Sequence, residues 1–189
     1  MADEATMTFS GETQDGDSAE VQTMEGAFVL SAGAEPSIAT LRISADQNTP
    51  IPVRGDLTIS DGTTTLAFSE CAAEELHRKY TTRDVVVTLS VRDRRWRLPF
   101  LGTITAEYNR RDEAGELTPI DDEIKTAREL GRMLLENLGE SSGAAVDGLP
   151  DDAYPHVAWD ATLLSDALRD LCQRYNALIV LDSSDRIDV

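Results

Sequence analysis

The stretch Val87–Leu117, VTLSVRDRRWRLPFLGTITAEYNRRDEAGEL, contains the change of texture on which the fold depends. Its first residues end the run Asp84–Val91 (DVVVTLSV), which is β-branched and mostly apolar and therefore predicts a strand in the interior of a sheet. The middle is a cluster of cations, Arg92-Asp93-Arg94-Arg95-Trp96-Arg97, on an otherwise acidic chain. Phe100–Tyr108 (FLGTITAEY) then alternates with period two, which predicts another strand. After Asn109 the apolar period lengthens to 3.6. Strands lie upstream of this point and helices downstream.

Upstream, Ile38–Ile43 (IATLRI) alternates in the same way. Val53–Ser60 and Thr63–Ser69 flank Asp61-Gly62, a hairpin signal, because glycine takes the positive φ that a tight turn requires. Pro50, Pro52 and Pro99 stand at the ends of these runs, where a residue without an N–H is tolerated. Cys71–Tyr80 (CAAEELHRKY) reads two ways, helical by propensity yet lodged between strands. Five or six short strands of this kind predict a small barrel or sandwich. Residues 1–36 differ: they hold eight carboxylates, no lysine or arginine and scattered apolar residues, with only Gly26–Leu30 (GAFVL) strand-like. Such a segment predicts an extended arm held by something else, such as a neighbouring subunit.

Downstream, Ile120, Ile124, Ala127, Gly131, Leu134 and Leu138 form one helical stripe. Thr118 is the expected N-cap, with Pro119 in the first turn, Asp121, Asp122 and Glu123 complementing the dipole, and Gly139 as the stop. A polar loop follows at residues 140–154. Asp160 is expected to open a second helix with the stripe Leu164, Ala167, Leu168, Leu171, Cys172 and Tyr175, ended by Asn176 in a left-handed conformation. Ala177–Asp182, a Ser183-Ser184 turn and Arg186–Val189 predict a β-hairpin, and the chain stops inside its second strand. The expectation is an α/β piece completed by further chain or by an assembly partner. No repeat of fixed period is present.

Composition narrows the function. With 189 residues, 17 Lys+Arg against 35 Asp+Glu and a net charge of −18, the chain lacks the basic face that counterion release from phosphates requires. No apolar run approaches the roughly 20 residues that span a bilayer, and the N-terminus lacks the pattern of a secretory signal. Two cysteines cannot make a disulfide framework. Only Lys79 and Lys125 are lysine, the other 15 cations being arginine. Arginine for lysine with surplus carboxylate suits a halophilic protein, whose self-repulsion is screened at high salt, and equally a GC-rich genome.

Catalytic signals are missing. The sequence has neither GxxxxGK[ST] nor GxGxxG, and no serine sits in a GxSxG elbow. His77 and His156 have no ligands at metal spacing and read as surface or loop histidines. Cys71 and Cys172 read as small buried hydrophobes. Asp15-Gly16-Asp17 is too short for a calcium loop. The expectation is a protein that is not an enzyme and has no cofactor and no metal.

The arginine cluster is the candidate site: Arg92, Arg94, Arg95, Trp96 and Arg97. Trp96 stacking a base between phosphate-holding arginines is one reading. Alternation along a strand favours another, with Arg92, Arg94 and Trp96 on one face and Asp93, Arg95 and Arg97 on the other. There the arginines pair with carboxylates of this chain or a neighbour, and Trp96 anchors an interface.

In order and spacing, the chain resembles the tail-hub (baseplate hub) proteins of tailed viruses, the group that includes the T-even baseplate hub and the late control proteins of contractile phages. Val87–Leu117 carries the likeness, with a DRRW-type strand leading to a G-x-I-x-x-x-Y-N strand at Gly102, Ile104, Tyr108 and Asn109. KTARELGRMLLENLGE (Lys125–Glu140) and WDATLLSDALRDLCQRYNALIVLDSSDRIDV (Trp159–Val189) continue it, so that it covers roughly residues 37–189. The resemblance implies small β-barrels joined to α/β pieces in a threefold ring, two barrels per chain mimicking six subunits so that a trimer docks on a hexameric tail tube. This chain departs from that pattern in holding one barrel and the start of the intervening domain.

The expected architecture is therefore α+β: an acidic N-terminal arm over 1–36, an antiparallel β-barrel hub domain over 37–112, and a helix-rich α/β domain over 113–189, incomplete at its C-terminus. The expected role is structural, a homotrimeric adaptor at the tail tip or baseplate of the virion. Its partners would be tube, distal tail or baseplate subunits, with viral DNA passing through the lumen without specific binding. A negative lumen repels phosphate, so the acidity fits a conduit. The alternatives are another tail adaptor or a host-surface or carbohydrate-binding tail module, for which 5% aromatic residues is meagre. A peptidoglycan or DNA hydrolase would need a segment that this chain does not have to spare.

Overall fold

The computed structural model describes residues 5–46, 49–80, 85–118, 124–140, 145–182 and 185–189. The chain forms two compact units, Met1–Ser31 with Glu35–Trp96, and Ala32–Ala34 with Arg97–Val189. The division falls between Trp96 and Arg97, earlier than the expected boundary at residue 112. The strand that follows, Thr103–Tyr108, pairs with Val157–Leu163 in the second unit.

The first unit is an antiparallel sheet of seven strands: β1 (Thr6–Glu12), β2 (Ser18–Gln22), β3 (Glu25–Val29), β4 (Ile38–Ala45), β5 (Arg54–Ser60), β6 (Thr65–Tyr80) and β7 (Val85–Arg92). Their order is β2-β1-β5-β6-β7-β4-β3. β2 and β3 are consecutive in sequence yet occupy opposite edges, and only Thr23 and Met24 join them. Such a link spans at most about 11 Å between Cα atoms, so the edges must approach one another there. The Thr23 N–H donates to the Met7 carbonyl on β1 (2.9 Å), and the Met24 N–H donates to the Arg42 carbonyl on β4 (2.8 Å). The sheet is thus curled into a half-barrel whose edges the chain itself draws together at one corner.

Period-two alternation decides which side chains fill this curl. Met7 and Phe9 on β1, Ala39, Leu41 and Ile43 on β4, and Val85, Val87, Leu89 and Val91 on β7 are all buried. β7 lies between β6 and β4, as its apolar run predicts for an interior strand. Phe28 and Phe68 meet with ring centroids 5.0 Å apart. The Asp61-Gly62 turn joins β5 to β6: Gly62 has φ +84°, and the Asp61 carboxylate accepts the N–H groups of Thr63 and Thr64.

Two expectations are corrected in this unit. Residues 6–29 are not an extended arm but supply β1, β2 and β3; residues 1–4 lie outside the described residues. Cys71–Tyr80 is strand, the second part of β6. Its helix-favouring residues yield to the ladder with β7, which runs from Ala72 to Tyr80, while β5 pairs only as far as Ala72.

In the second unit β8 (Thr103–Tyr108) and β9 (Val157–Leu163) form one antiparallel pair, and β10 (Val180–Leu181) and β11 (Ile187–Asp188) another. Helices α1 (Ala127–Asn137) and α2 (Leu164–Tyr175) share with them a core that includes Leu130, Leu134, Val157, Trp159, Leu168, Leu171 and Ile187. The hairpin at the end is as predicted, and Ser183-Ser184 lies outside the described residues. Asn176 ends α2 with φ 53°, the left-handed stop its position predicts.

The helix starts differ from expectation. α1 begins at Ala127, not after Thr118, because Thr126 and Glu129 form a capping box that satisfies two N–H groups reciprocally. Residues 119–123 of the expected first turn are outside the described residues, and Ile124 is exposed and not helical. Asp160 does not open α2 but stands in β9, where Trp159 turns into the core and Ala161 adopts φ 48°. β9 runs directly into α2, with Leu163 at the cap position and no side-chain cap.

Candidate interaction surface

The arginine segment leaves the sheet where alternation ceases to apply. β7 ends at Arg92, and Arg94–Phe100 is a 3₁₀ helix, which corrects the single-strand reading of Arg92–Arg97. Asp93 makes the change of direction. Its Oδ2 accepts the Ser37 N–H at 2.7 Å and its Oδ1 the Arg95 N–H at 2.9 Å, while its carbonyl accepts the Trp96 N–H at 3.0 Å. A carboxylate holding the N–H two residues onward favours a turn over continued strand.

Each cation of the cluster has an acidic partner in the same chain. Arg92 meets Glu74 at 2.9 Å, Arg94 meets Glu70 at 3.5 Å, Arg95 meets Asp93 at 2.7 Å and Arg97 meets Glu140 at 3.5 Å. These pairs differ in environment. Arg92 and Glu74 are half-exposed or more, a setting in which an ion pair contributes about 0–1 kcal/mol. Arg95 and Asp93 are both buried, and the Arg95 Nη2 also donates to the Ser37 Oγ (2.8 Å) and the Ser31 carbonyl (3.0 Å). Trp96 donates its indole N–H to the Glu70 carbonyl at 2.9 Å, and the Arg54 guanidinium lies 5.3 Å from its ring centroid. Glu70 has φ 52°, so these groups gather on a left-handed residue within the long strand β6.

Of the two kinds of partner the sequence allows, carboxylates of this chain or of a neighbour, these are in this chain. Glu70, Glu74 and Ser37 lie tens of residues away, and nothing local marks them as partners. Beside Arg92 the outer face of the sheet is apolar: Ile38 is its cross-strand partner on β4, and Val29 is the partner of Ile38 on β3. Ile38 is 40% exposed and Val29 66%.

Among the described residues no three His, Cys, Asp or Glu side chains are placed to hold a metal ion, and no helix is long and apolar enough to cross a membrane. His156 pairs with Glu107 at 3.0 Å in an exposed position, and His77 is exposed. Both cysteines are buried, and burial pushes the Cys172 thiol up to about 11. The Arg78 guanidinium holds the Glu75 carboxyl below its ordinary value by direct hydrogen bonding.

No family model matches the sequence, and no curated protein matches it. The structure is similar to that of the tail protein from Neisseria meningitidis MC58, with a TM-score of 0.60 and 10% sequence identity over 98% of this chain. The two share a fold. The matched region is 50% of the Neisseria chain, so the present chain spans half its length.

Proposed function

We propose that this chain is a structural component of a viral tail. The observation that carries the reading is the fold held in common with a tail protein across 98% of the chain. The finer assignment is a hub-type adaptor at the distal end of the tail tube, without catalytic activity, in which copies of the chain form a trimeric ring for genome passage. It is supported by the resemblance of Val87–Leu117 and the helices that follow to tail-hub proteins. A net charge of −18 per copy would give the ring a negative lumen that repels phosphate. Neighbouring tail subunits are the partners.

Within this reading Arg92–Arg97 lies at the seam between copies. Arg92 is partly exposed next to Ile38 and Val29, an apolar patch with a polar rim of the kind subunit interfaces use.

Electron microscopy of source particles labelled with an antibody against residues 1–36 tests the assignment. Label confined to the tail tip is expected. Label along fibres or on the capsid would keep the virion and overturn the hub. Light scattering at high salt checks the ring, for which a strict monomer is the contrary outcome.

A further inference from the structure

The hairpin β1–β2 carries Glu12, Asp15, Asp17 and Glu20, with no lysine or arginine anywhere in residues 5–22. None of these four carboxylates takes part in an ion pair among the described residues. β2 is also an edge strand. Its ladder with β1 is bounded by the bonds Thr13 N–H to Asp17 carbonyl and Thr23 N–H to Met7 carbonyl. Antiparallel pairs alternate, so Ala19 (opposite Gly11) and Val21 (opposite Phe9) turn their N–H and C=O toward β1. Ser18, Glu20 and Gln22 turn theirs outward, and all three residues are exposed.

A shallow hollow of about 420 Å³ is lined by Ser10, Gly11, Ser18, Ala19 and Glu20. Glu12 and Ser18 are cross-strand partners, as are Ser10 and Glu20, so the Glu12 and Glu20 carboxylates share the outer face of the hairpin. An open edge invites strand addition, and natural edges are commonly protected by lysine, proline or a cover. This edge has none of these within β2, whose sequence is SAEVQ.

We infer that the open edge of β2 receives an extended, lysine- or arginine-bearing segment of another protein by strand addition. Backbone hydrogen bonds to Ser18, Glu20 and Gln22 supply the pairing. Four carboxylates with a single cation opposite them, Arg54 across from Glu12, choose a cationic strand over a neutral or acidic one. Pairing with the same hairpin of a second copy is disfavoured by charge, since that hairpin is acidic too. The inference stands independently of the tail reading.

The test uses the full chain, labelled with ¹⁵N, and a blocked peptide in which lysine alternates with threonine and valine. Its glutamate counterpart is the control. Amide shifts at Ser18, Glu20 and Gln22 are expected with the lysine peptide alone. Affinity should fall about tenfold or more between roughly 0.05 and 0.5 M salt as the charges are screened. Ser18→Pro removes an outward N–H, leaves the bonds to β1 in place and should weaken binding about tenfold. The Glu12→Gln, Glu20→Gln variant should weaken it comparably and flatten the salt dependence, and it keeps the proposal testable should the proline variant misfold. Shifts centred elsewhere, or equal binding of the glutamate peptide, would overturn the proposal. So would a folded Ser18→Pro protein that binds unchanged.

Discussion

Asp93 Oδ2 and Arg95 Nη2 lie 2.7 Å apart, and each side chain is only 1% exposed. Two charges withdrawn from water are tolerated because every direction is occupied. The carboxylate accepts from the Ser37 and Arg95 backbones and the guanidinium donates to Ser37 and Ser31. Removing one partner therefore costs far more than the pair itself contributes. Arg95→Met is expected to lose about 3–5 kcal/mol in urea unfolding, because the Asp93 charge remains buried. The double variant Asp93→Leu, Arg95→Met should recover part of that loss, whereas strictly additive losses would mean that the two charges do not depend on one another.

The first turn of α1 offers a comparison between two threonines. Thr126 Oγ1 accepts the Glu129 N–H at 3.2 Å, and Glu129 Oε2 accepts the Thr126 N–H at 2.8 Å. Thr126→Ala should cost about 1 kcal/mol by thermal or urea unfolding, and Thr126→Ser close to nothing. Thr118, an exposed residue whose hydroxyl reaches the Arg110 carbonyl at 3.4 Å, caps no helix among the described residues. Its alanine variant should stay within about 0.5 kcal/mol of the parent. Equal losses at the two positions would place the helix start at Thr118.

That comparison also marks how far the sequence is readable. Strands betray themselves by alternation, so β4, β5 and β7 fall within a residue or two of expectation, and Asp61-Gly62 specifies its turn chemically. Both helices are recognised by their stripes and by Asn176. Their starts are harder, because Thr118-Pro119 and Asp160 look as good locally as the capping box at Thr126. The ladder with β8, together with the burial of Trp159, reveals 157–163 as strand. The second half of β6 is lost to propensity, since CAAEELHRKY favours helix until β7 pairs with it from Ala72 to Tyr80. The Arg92–Arg97 cluster stands out in composition, but the burial of Asp93 with Arg95 does not. Ser37 and Ser31, which complete that pair, are 58 and 64 residues from Arg95.

Cys172 supplies a pH dependence with a definite sign. Burial raises its thiol from 9.0 to about 11, while in the unfolded chain it titrates at its ordinary value. Between those values the unfolded state has released the proton and the folded state retains it, so the folded state binds more protons and stability falls as pH rises. The contribution is fully present below about pH 9 and declines by at most about 1.4 kcal/mol per pH unit up to about pH 11. Urea midpoints measured from pH 8 to 11 should drop more steeply for the parent than for Cys172→Ala. Parallel curves would mean that the thiol is not held protonated. Alkylation of Cys172 in the native protein should accordingly be slow.

Gly11 and Gly55 are cross-strand partners on β1 and β5, and neither strand has room there for a side chain. A Cβ on Gly11 would run into the Arg54 carbonyl, and one on Gly55 into the Ser10 carbonyl. Backbone on both sides cannot step aside as a flexible side chain could, so the strands must part or the pair must shift. Gly11→Ala should therefore cost more than about 3 kcal/mol and disturb the ladder that positions β2. Gly16, in the β1–β2 turn, is the matched control: its φ is +85° and nothing lies within 4 Å of a Cβ built on it. Gly16→Ala meets only the conformational penalty of a left-handed residue, about 1 kcal/mol. Urea unfolding of the two variants should separate them by about 2 kcal/mol or more, and amide exchange at Ala19 and Val21 should rise in Gly11→Ala alone. Similar losses in both would mean that the close approach of β1 and β5 relaxes at little cost, and that glycine serves only the turn.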